Sequence, residues 1–342
     1  MSAETAFETA LERARKEVQD GPSLGWDTPS RFGRAGLAAR GVLHRALRPY
    51  TMRQSRVDQA IYSAMEGSAR SIEDRARRME RMVDMSSQSA HAVALDPESV
   101  VDATTHVGPL WLNKADSLVT PSIAEHGMYE AHVTALLLRT LRPGMTFVDV
   151  GANIGYFSVL ASRLVGPEGL VVAVEPGPNN VSLLRANLWR NGCGNAVVLP
   201  IAAYDHRGHV QLVLNPQGGA GNWVQPGEVP APSVLVPCAP LDELLEGIHV
   251  DVLKTDAEGS DVVAIRGMEQ TIRRSTGITV IAEFWTQAYG GLGEAPAEVL
   301  DYYSGLGLQT SLLRDTGELE PYGDEALLAL QGSVPFVNIV MA

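Results

Sequence analysis

Apolar positions along this chain follow two rhythms. From about Val57 to Met85, apolar or small residues recur at three- and four-residue steps: Ile61, Ala64, Ser68, Ile72, Ala76, Met79 and Val83. The opposite side carries Arg70, Glu73, Arg75, Arg77, Arg78, Glu80 and Arg81. This spacing predicts an amphipathic helix, with a seam able to pack on a body or on a partner helix. A shorter helix is predicted from Glu4 to Val18, ahead of the breakers Gly21-Pro22 and Pro29. Residues 1–95 therefore read as a helical N-terminal extension, a place for homo-oligomer contacts.

The second rhythm begins near residue 128. A helical stretch, Tyr129–Leu141, stops at Arg142-Pro143-Gly144. Short apolar runs then alternate with helical segments. Strands are predicted at Thr146–Val150, Leu170–Glu175, Ala196–Pro200, Val252–Asp256 and Ile278–Glu283, with further strands at Val210–Leu214 and Val334–Met341. Helices are predicted at Gly155–Val165, Pro178–Asn191, Ser260–Arg266, Met268–Arg274 and Pro296–Leu306, and a Gly/Pro-rich loop at Asn215–Pro232. Continuous apolar strands interleaved with helices imply a parallel sheet covered on both faces. The expected fold class is α/β, a doubly wound Rossmann-like domain over residues 96–342. Ligands of such sheets bind beyond the carboxyl ends of the strands, at the switch point.

Composition narrows the setting. No apolar run reaches the roughly 18–20 residues of a membrane span, and the charged first residues lack the apolar core of a signal peptide. Two cysteines, Cys193 and Cys238, exclude a disulfide framework and fit a reducing cytoplasm. The net charge of −13 divides into +3 over residues 1–95 and −16 over residues 96–342. An acidic body repels polyanions, so nucleic acid is not an expected partner, while a neutral or cationic acceptor stays compatible with the charge.

The segment Phe147-Val-Asp149-Val-Gly151-Ala-Asn153-Ile-Gly155-Tyr-Phe-Ser158 reads as a strand, a tight turn and a helix. Gly151 and Gly155 allow unusual dihedrals and a close approach of the backbone to a ligand. The turn lacks the Gly-x-Gly-x-x-Gly spacing that seats a dinucleotide pyrophosphate. Asp149 at the strand end suits the ammonium of an amino-acid cofactor instead. About 20 residues further on, Glu175 ends the second strand, where an acid accepts hydrogen bonds from ribose hydroxyls. The fourth strand closes on Lys254-Thr-Asp256-Ala-Glu258-Gly259, beside the same crevice. Asp256 is the first candidate for a base or positioning residue and Glu258 the second, with helix capping the alternative for Asp256. Glu283 ends the fifth strand facing the crevice, and with Asp256 could share a hard cation such as Mg²⁺. His126 is a candidate acceptor-side base, while His206 reads by default as an exposed loop histidine. Gly218-Gly-Ala-Gly-Asn222-Trp223 pairs an amide with an aromatic ring, the combination that binds sugars, and Asn222 and Trp223 are assigned to an acceptor pocket.

The segments FVDVGANIGYFSVLASRLVGPEG, VVAVEPGPNNVSLLRANLWRNG and VLKTDAEGSDVVAIRGM closely resemble the FkbM family of S-adenosylmethionine (SAM)-dependent methyltransferases. The resemblance runs from about His126 to Asn338 and takes in HGMYE and VIAEFW. It implies a Rossmann-like methyltransferase fold with SAM as cofactor, and an O-methyltransferase acting on hydroxyls of sugars or natural products. Other natural-product acceptors and a non-catalytic SAM-binding scaffold are the alternatives. It also implies that Glu130 lies near the cofactor's amino-acid end, and that Ala203 and Asp205 edge the adenine. Asp149, Gly151, Asn153, Gly155, Glu175 and Asp256 complete the expected cofactor site.

Overall fold

The computed structural model describes residues 97–215, 221–225, 232–329 and 336–342. The helices expected at residues 4–18 and 57–85 lie outside these residues. The described chain opens on a hairpin of β1 (Val100–Thr105) and β2 (Gly108–Asn113), paired antiparallel from Val100↔Asn113 to Thr105↔Gly108. Helices α1 (Val119–His126) and α2 (Ala131–Thr140) follow.

Next come β3 (Thr146–Val150), α3 (Tyr156–Val165), β4 (Leu170–Val174), α4 (Pro178–Arg190) and β5 (Ala196–Leu199). A second, antiparallel-rich group contains β6 (Ala202–Ala203), β7 (Gly208–Val213), β8 (Trp223–Gln225) and β9 (Ser233–Ala239). The chain then returns through β10 (Val252–Thr255), α5 (Asp261–Arg266), α6 (Glu269–Arg274) and β11 (Thr279–Phe284). It ends with α7 (Pro296–Gly305), β12 (Thr310–Leu313), β13 (Leu319–Pro321), α8 (Asp324–Ala329) and β14 (Val337–Met341).

The large sheet has eight strands in the order β13-β12-β14-β11-β10-β3-β4-β5. Its run from β11 to β5 is parallel, and β14 inserts antiparallel beside β11. Strands β3, β4 and β10 are buried at every residue, as sequences such as LVVAV require when helices cover both faces. Side chains alternate between two apolar layers. Phe147, Val171, Val252 and Ile281 pack with Leu136, Leu137 and Val159 in one layer. Val148, Val172, Leu253 and Val280 pack with Val262, Ile265 and Leu300 in the other. From β3 the chain crosses through α3 to β4 on one side, while β10 pairs with β3 on the other. The sheet order therefore reverses between β3 and β10, which opens a crevice at their carboxyl ends.

The predicted strand ends need one systematic correction. Glu175, Pro200 and Asp256 lie just past their strands, and the fifth strand is displaced by one residue to Thr279–Phe284. The acids thus sit on turns, where backbone N–H groups can reach them. The helix expected from Tyr129 begins at Ala131, because Glu130 has left-handed backbone dihedrals at the N-cap. The loop expected over residues 215–232 contains β8, whose Val213↔Trp223 pairing with β7 is non-local.

Candidate active site

A cleft opens above the ends of β3, β4 and β10, lined by apolar residues and a few polar ones. Its floor is the turn from Gly151 to Gly155. Gly151, Asn153 and Gly155 have φ values of 75°, 50° and 92°, in the left-handed region. A β-carbon on Gly151 would lie 1.9 Å from the Asp256 carbonyl oxygen, so only glycine fits between the turns that follow β3 and β10. The turn is pinned from below, since the N–H groups of Gly151 and Ala152 both donate to the Val174 carbonyl, at 2.9 and 3.0 Å.

Glu175 is buried at the wall of the cleft. Its Oε2 accepts from Asn153 N–H at 2.9 Å and its Oε1 from Gly177 N–H at 2.8 Å, with Asn180 Nδ2 at 3.4 Å. Burial pushes its carboxyl up to about 7, against the pull of these three donors. The side chain is thereby fixed by the turn it faces, with its carboxylate edge presented to the cleft.

Asp149 and Lys254 sit side by side on β3 and β10, on the face where alternation has already placed Phe147 and Val252. Asp149 is wholly buried and is not among the residues lining the cleft. Its Oδ2 accepts from Ser158 Oγ at 2.5 Å, and its Oδ1 has no hydrogen-bond partner among the described residues. Lys254 lines the cleft, with Nζ 2.9 Å from Asp256 Oδ2 and 4.9 Å from the centre of the Phe157 ring. Burial alone would neutralise this ammonium, but Asp256, Asp149 and Glu130 outweigh it and hold the proton on. Sequence reading did not anticipate Ser158.

The rim beyond Asp256 is acidic. Glu258, with φ of 49°, lines the cleft, and its Oε1 accepts from Gly221 N–H at 2.9 Å. Burial, then repulsion from Asp256, pushes it up to about 7. Glu130 is pushed up to about 7 by the same two causes, opposed by Lys254. Glu283, buried at the end of β11, is pushed up to about 10 by burial and by Asp256, Asp261, Glu258 and Glu130. Helix capping by Asp256 is not seen. The neighbouring Asp261 shapes the turn instead, its Oδ1 accepting from Thr255 Oγ1 at 2.8 Å and Ala257 N–H at 3.1 Å. Asp261 escaped the sequence reading because its partners lie four and six residues back, across the strand end.

An aromatic group closes the side opposite Glu175. Tyr129, Tyr156 and Phe157 all line the cleft, with ring centres 5.3–6.3 Å apart in edge or tilted contacts. The Tyr156 hydroxyl and Asn153 Oδ1 are buried and lack protein partners among the described residues. The cleft therefore combines apolar walls, unsatisfied polar atoms and an excess of carboxylates over its one lysine. That arrangement suits a ligand with a sugar, a flat apolar ring and positive charge.

Several expected site residues lie elsewhere. His126 is exposed on the last turn of α1, bonded to the Ser122 carbonyl at 3.2 Å, and does not line the cleft. Asp205 and His206 pair with each other at 2.7 Å on the surface, because Tyr204 N–H is taken by the Ala239 carbonyl and the chain turns outward. Ala202 and Ala203 do line the cleft, without Asp205. In β8 the alternation sends Val224 inward and leaves Trp223 more than a third exposed, while Asn222 lines the cleft. Among the described residues no group of three or more His, Cys, Asp or Glu side chains is arranged to hold a metal. The Mg²⁺ expected between Glu283 and Asp256 therefore finds no built site.

Comparison with known proteins places these features in a family. A model of the methyltransferase FkbM domain matches residues 149–309. The 31-O-demethyl-FK506 methyltransferase FkbM of Streptomyces tacrolimicus is 30% identical over 202 residues, covering 52% of this chain and 74% of that protein. The protein-L-isoaspartate O-methyltransferase 1 of Archaeoglobus fulgidus is 33% identical over 85 residues, covering 22% of this chain. The present chain spans 39% of that relative's length. Among solved structures, a methyltransferase FkbM from Methylobacillus flagellatus aligns with 15% identity and a TM-score of 0.38, over 61% of this chain and 50% of that one.

Proposed function

The chain belongs to the FkbM methyltransferase family, and from that premise we propose that it transfers a methyl group from SAM to a hydroxyl oxygen, on a sugar or glycosylated natural product. Glu175 carries the reading. A carboxylate just past the second parallel strand, each oxygen held by a backbone N–H group, fits a ribose diol of the donor. The name of the Streptomyces tacrolimicus relative specifies an oxygen acceptor, which supports O- over N-methylation.

When bound, SAM supplies an electrophilic methyl carbon on a cationic sulfur. The residues of this chain do the rest. The Gly151–Gly155 turn receives the amino-acid portion, and the acids around Lys254 offset its positive charges. Asp149 acts behind the turn, bracing it through Ser158 and helping to keep Lys254 charged. Glu130 adds to the same negative field. The apolar strip of Ala203, Leu212 and Val224 covers the adenine.

Methyl transfer is an in-line displacement, so orientation supplies much of the acceleration. The acceptor hydroxyl must also lose its proton. Asp256, fixed by Lys254, orients that hydroxyl. Glu258, at about 7, can accept the proton near neutral pH. Glu283, at about 10, keeps its own proton there, behind the residues that line the cleft. The carboxylate rim disfavours phosphorylated acceptors. Residues 1–95 stay assigned, on their sequence pattern alone, to packing or self-association.

The test is Asp256→Asn, assayed for methyl-ether formation on a panel of sugar and natural-product acceptors. The expected outcome is a loss of kcat of about 100-fold or more, with S-adenosylhomocysteine (SAH) affinity kept within about threefold. Binding of SAH by the native chain with no turnover on any acceptor would favour a scaffold role.

A further inference from the structure

Resting on the reading of the cleft as the donor site, we propose that Asn222 is a ribose-binding residue, which brings the small sheet into contact with the donor. Sequence grouped Asn222 with Trp223 on the acceptor side; the geometry points to the opposite end of the cleft. A β-carbon placed on Gly177 would lie 2.8 Å from Glu175 Oε1, 3.4 Å from Asn222 Nδ2 and 3.5 Å from Asn180 Nδ2. One carboxylate oxygen and two amide nitrogens therefore surround a single point beside Glu175.

That set completes what Glu175 lacks. An ionised carboxylate only accepts hydrogen bonds, whereas each hydroxyl of a vicinal diol both donates and accepts. Glu175 takes the hydroxyl protons, and an amide N–H must answer the hydroxyl lone pairs. Asn180 Nδ2 gives one of its two hydrogens to Glu175 at 3.4 Å. The orientation of the Asn222 amide is not free, because Asn215 N–H, a donor, meets its Oδ1 at 2.8 Å. The Nδ2 end must then face the Glu175 side. The preceding residue is anchored too, since Gly221 N–H donates to Glu258 at 2.9 Å. Adjacent residues of one segment are thus tied to the acidic rim and to the ribose end.

The experiment is calorimetry on the full chain with SAH and with its 2′-deoxy and 3′-deoxy analogues. Native protein is compared with Asn222→Ala and Asn222→Asp. Asn222→Asp keeps an acceptor for Asn215 N–H but replaces the amide donor with a charge near Glu175. The inference expects SAH to bind about five- to tenfold more weakly to Asn222→Ala, and at least as weakly to Asn222→Asp. It also expects the penalty to vanish on the analogue lacking the contacted hydroxyl. Three results would overturn it: Asn222→Asp binding like the native chain, an equal penalty on SAH and both deoxy analogues, or a raised acceptor KM with SAH affinity intact. If the native chain binds no SAH at all, the donor reading fails first and this inference falls with it.

Discussion

Replacing Glu175 with glutamine isolates the donor site with the least steric change. Both carboxylate oxygens face N–H donors, Gly177 on Oε1 and Asn153 on Oε2. Whichever oxygen becomes the amide NH₂, a donor then points at a donor. A buried N–H left unpaired costs about 1–3 kcal/mol. At roughly 2–4 °C per kcal/mol for a domain of this size, melting should fall by roughly 2–12 °C. Binding suffers separately. The ribose hydroxyl loses a charge-assisted bond, about 1.5–3 kcal/mol, or about 10- to 150-fold in the Kd for SAH. A pH signature accompanies the loss. In the empty cleft Glu175 titrates at about 7, and hydroxyl donors favour its ionised form, so binding should release a proton. SAH affinity of the native chain should rise from pH 6 to 8, and the rise should be shallower in Glu175→Gln. Calorimetry at several pH values measures both effects. Native-like affinity and native-like pH dependence in the variant would refute the assignment of Glu175 to the ribose.

Two further outcomes follow from the same geometry. Gly151→Ala forces a side chain into a position with φ of 75° and against the Asp256 carbonyl, so it should abolish SAH binding and destabilise the fold by roughly 3 kcal/mol or more, readable by chemical denaturation; a variant with native stability and affinity would contradict the packing of the two turns. Thermal stability of the ligand-free protein should fall as pH rises through about 7, because Glu130, Glu175 and Glu258 hold protons in the native state that the unfolded chain has already released above its value of 4.5. A melting temperature that climbs from pH 5 to 8 would count against the buried acidic rim.

The central sheet could be read from sequence because its strands are nearly continuous apolar runs, a signal that survives without neighbours. The Gly151–Gly155 turn and Glu175 were legible for a similar reason, since a single strand–turn–helix unit builds each. Side chains whose place depends on distant folding were not. The β1–β2 hairpin is locked to α4 by Asn187, which accepts from Trp111 N–H at 2.7 Å and donates to the Trp111 carbonyl at 2.9 Å, across 76 residues. Nothing local announces that pairing. Asp205 was expected at the adenine, but the short β6 and its pairing with β9 turn it outward. Asn222 and Trp223 are adjacent, and strand alternation with the fold-back of β8 onto β7 sends them to different surroundings. The raised pKa values of Glu258 and Glu283 come from burial and from repulsion by Asp256, a three-dimensional property that spacing cannot convey.

The claim on which the rest depends is that the donor lies across the turn after β3, its sugar on Glu175. A crystal structure of the full chain with SAH bound measures this directly. The account predicts ribose hydroxyls within hydrogen-bond distance of Glu175 and the sulfur above the Gly151–Gly155 turn, facing Asp256. SAH seated elsewhere on the molecule, or with its ribose turned away from Glu175, would contradict it.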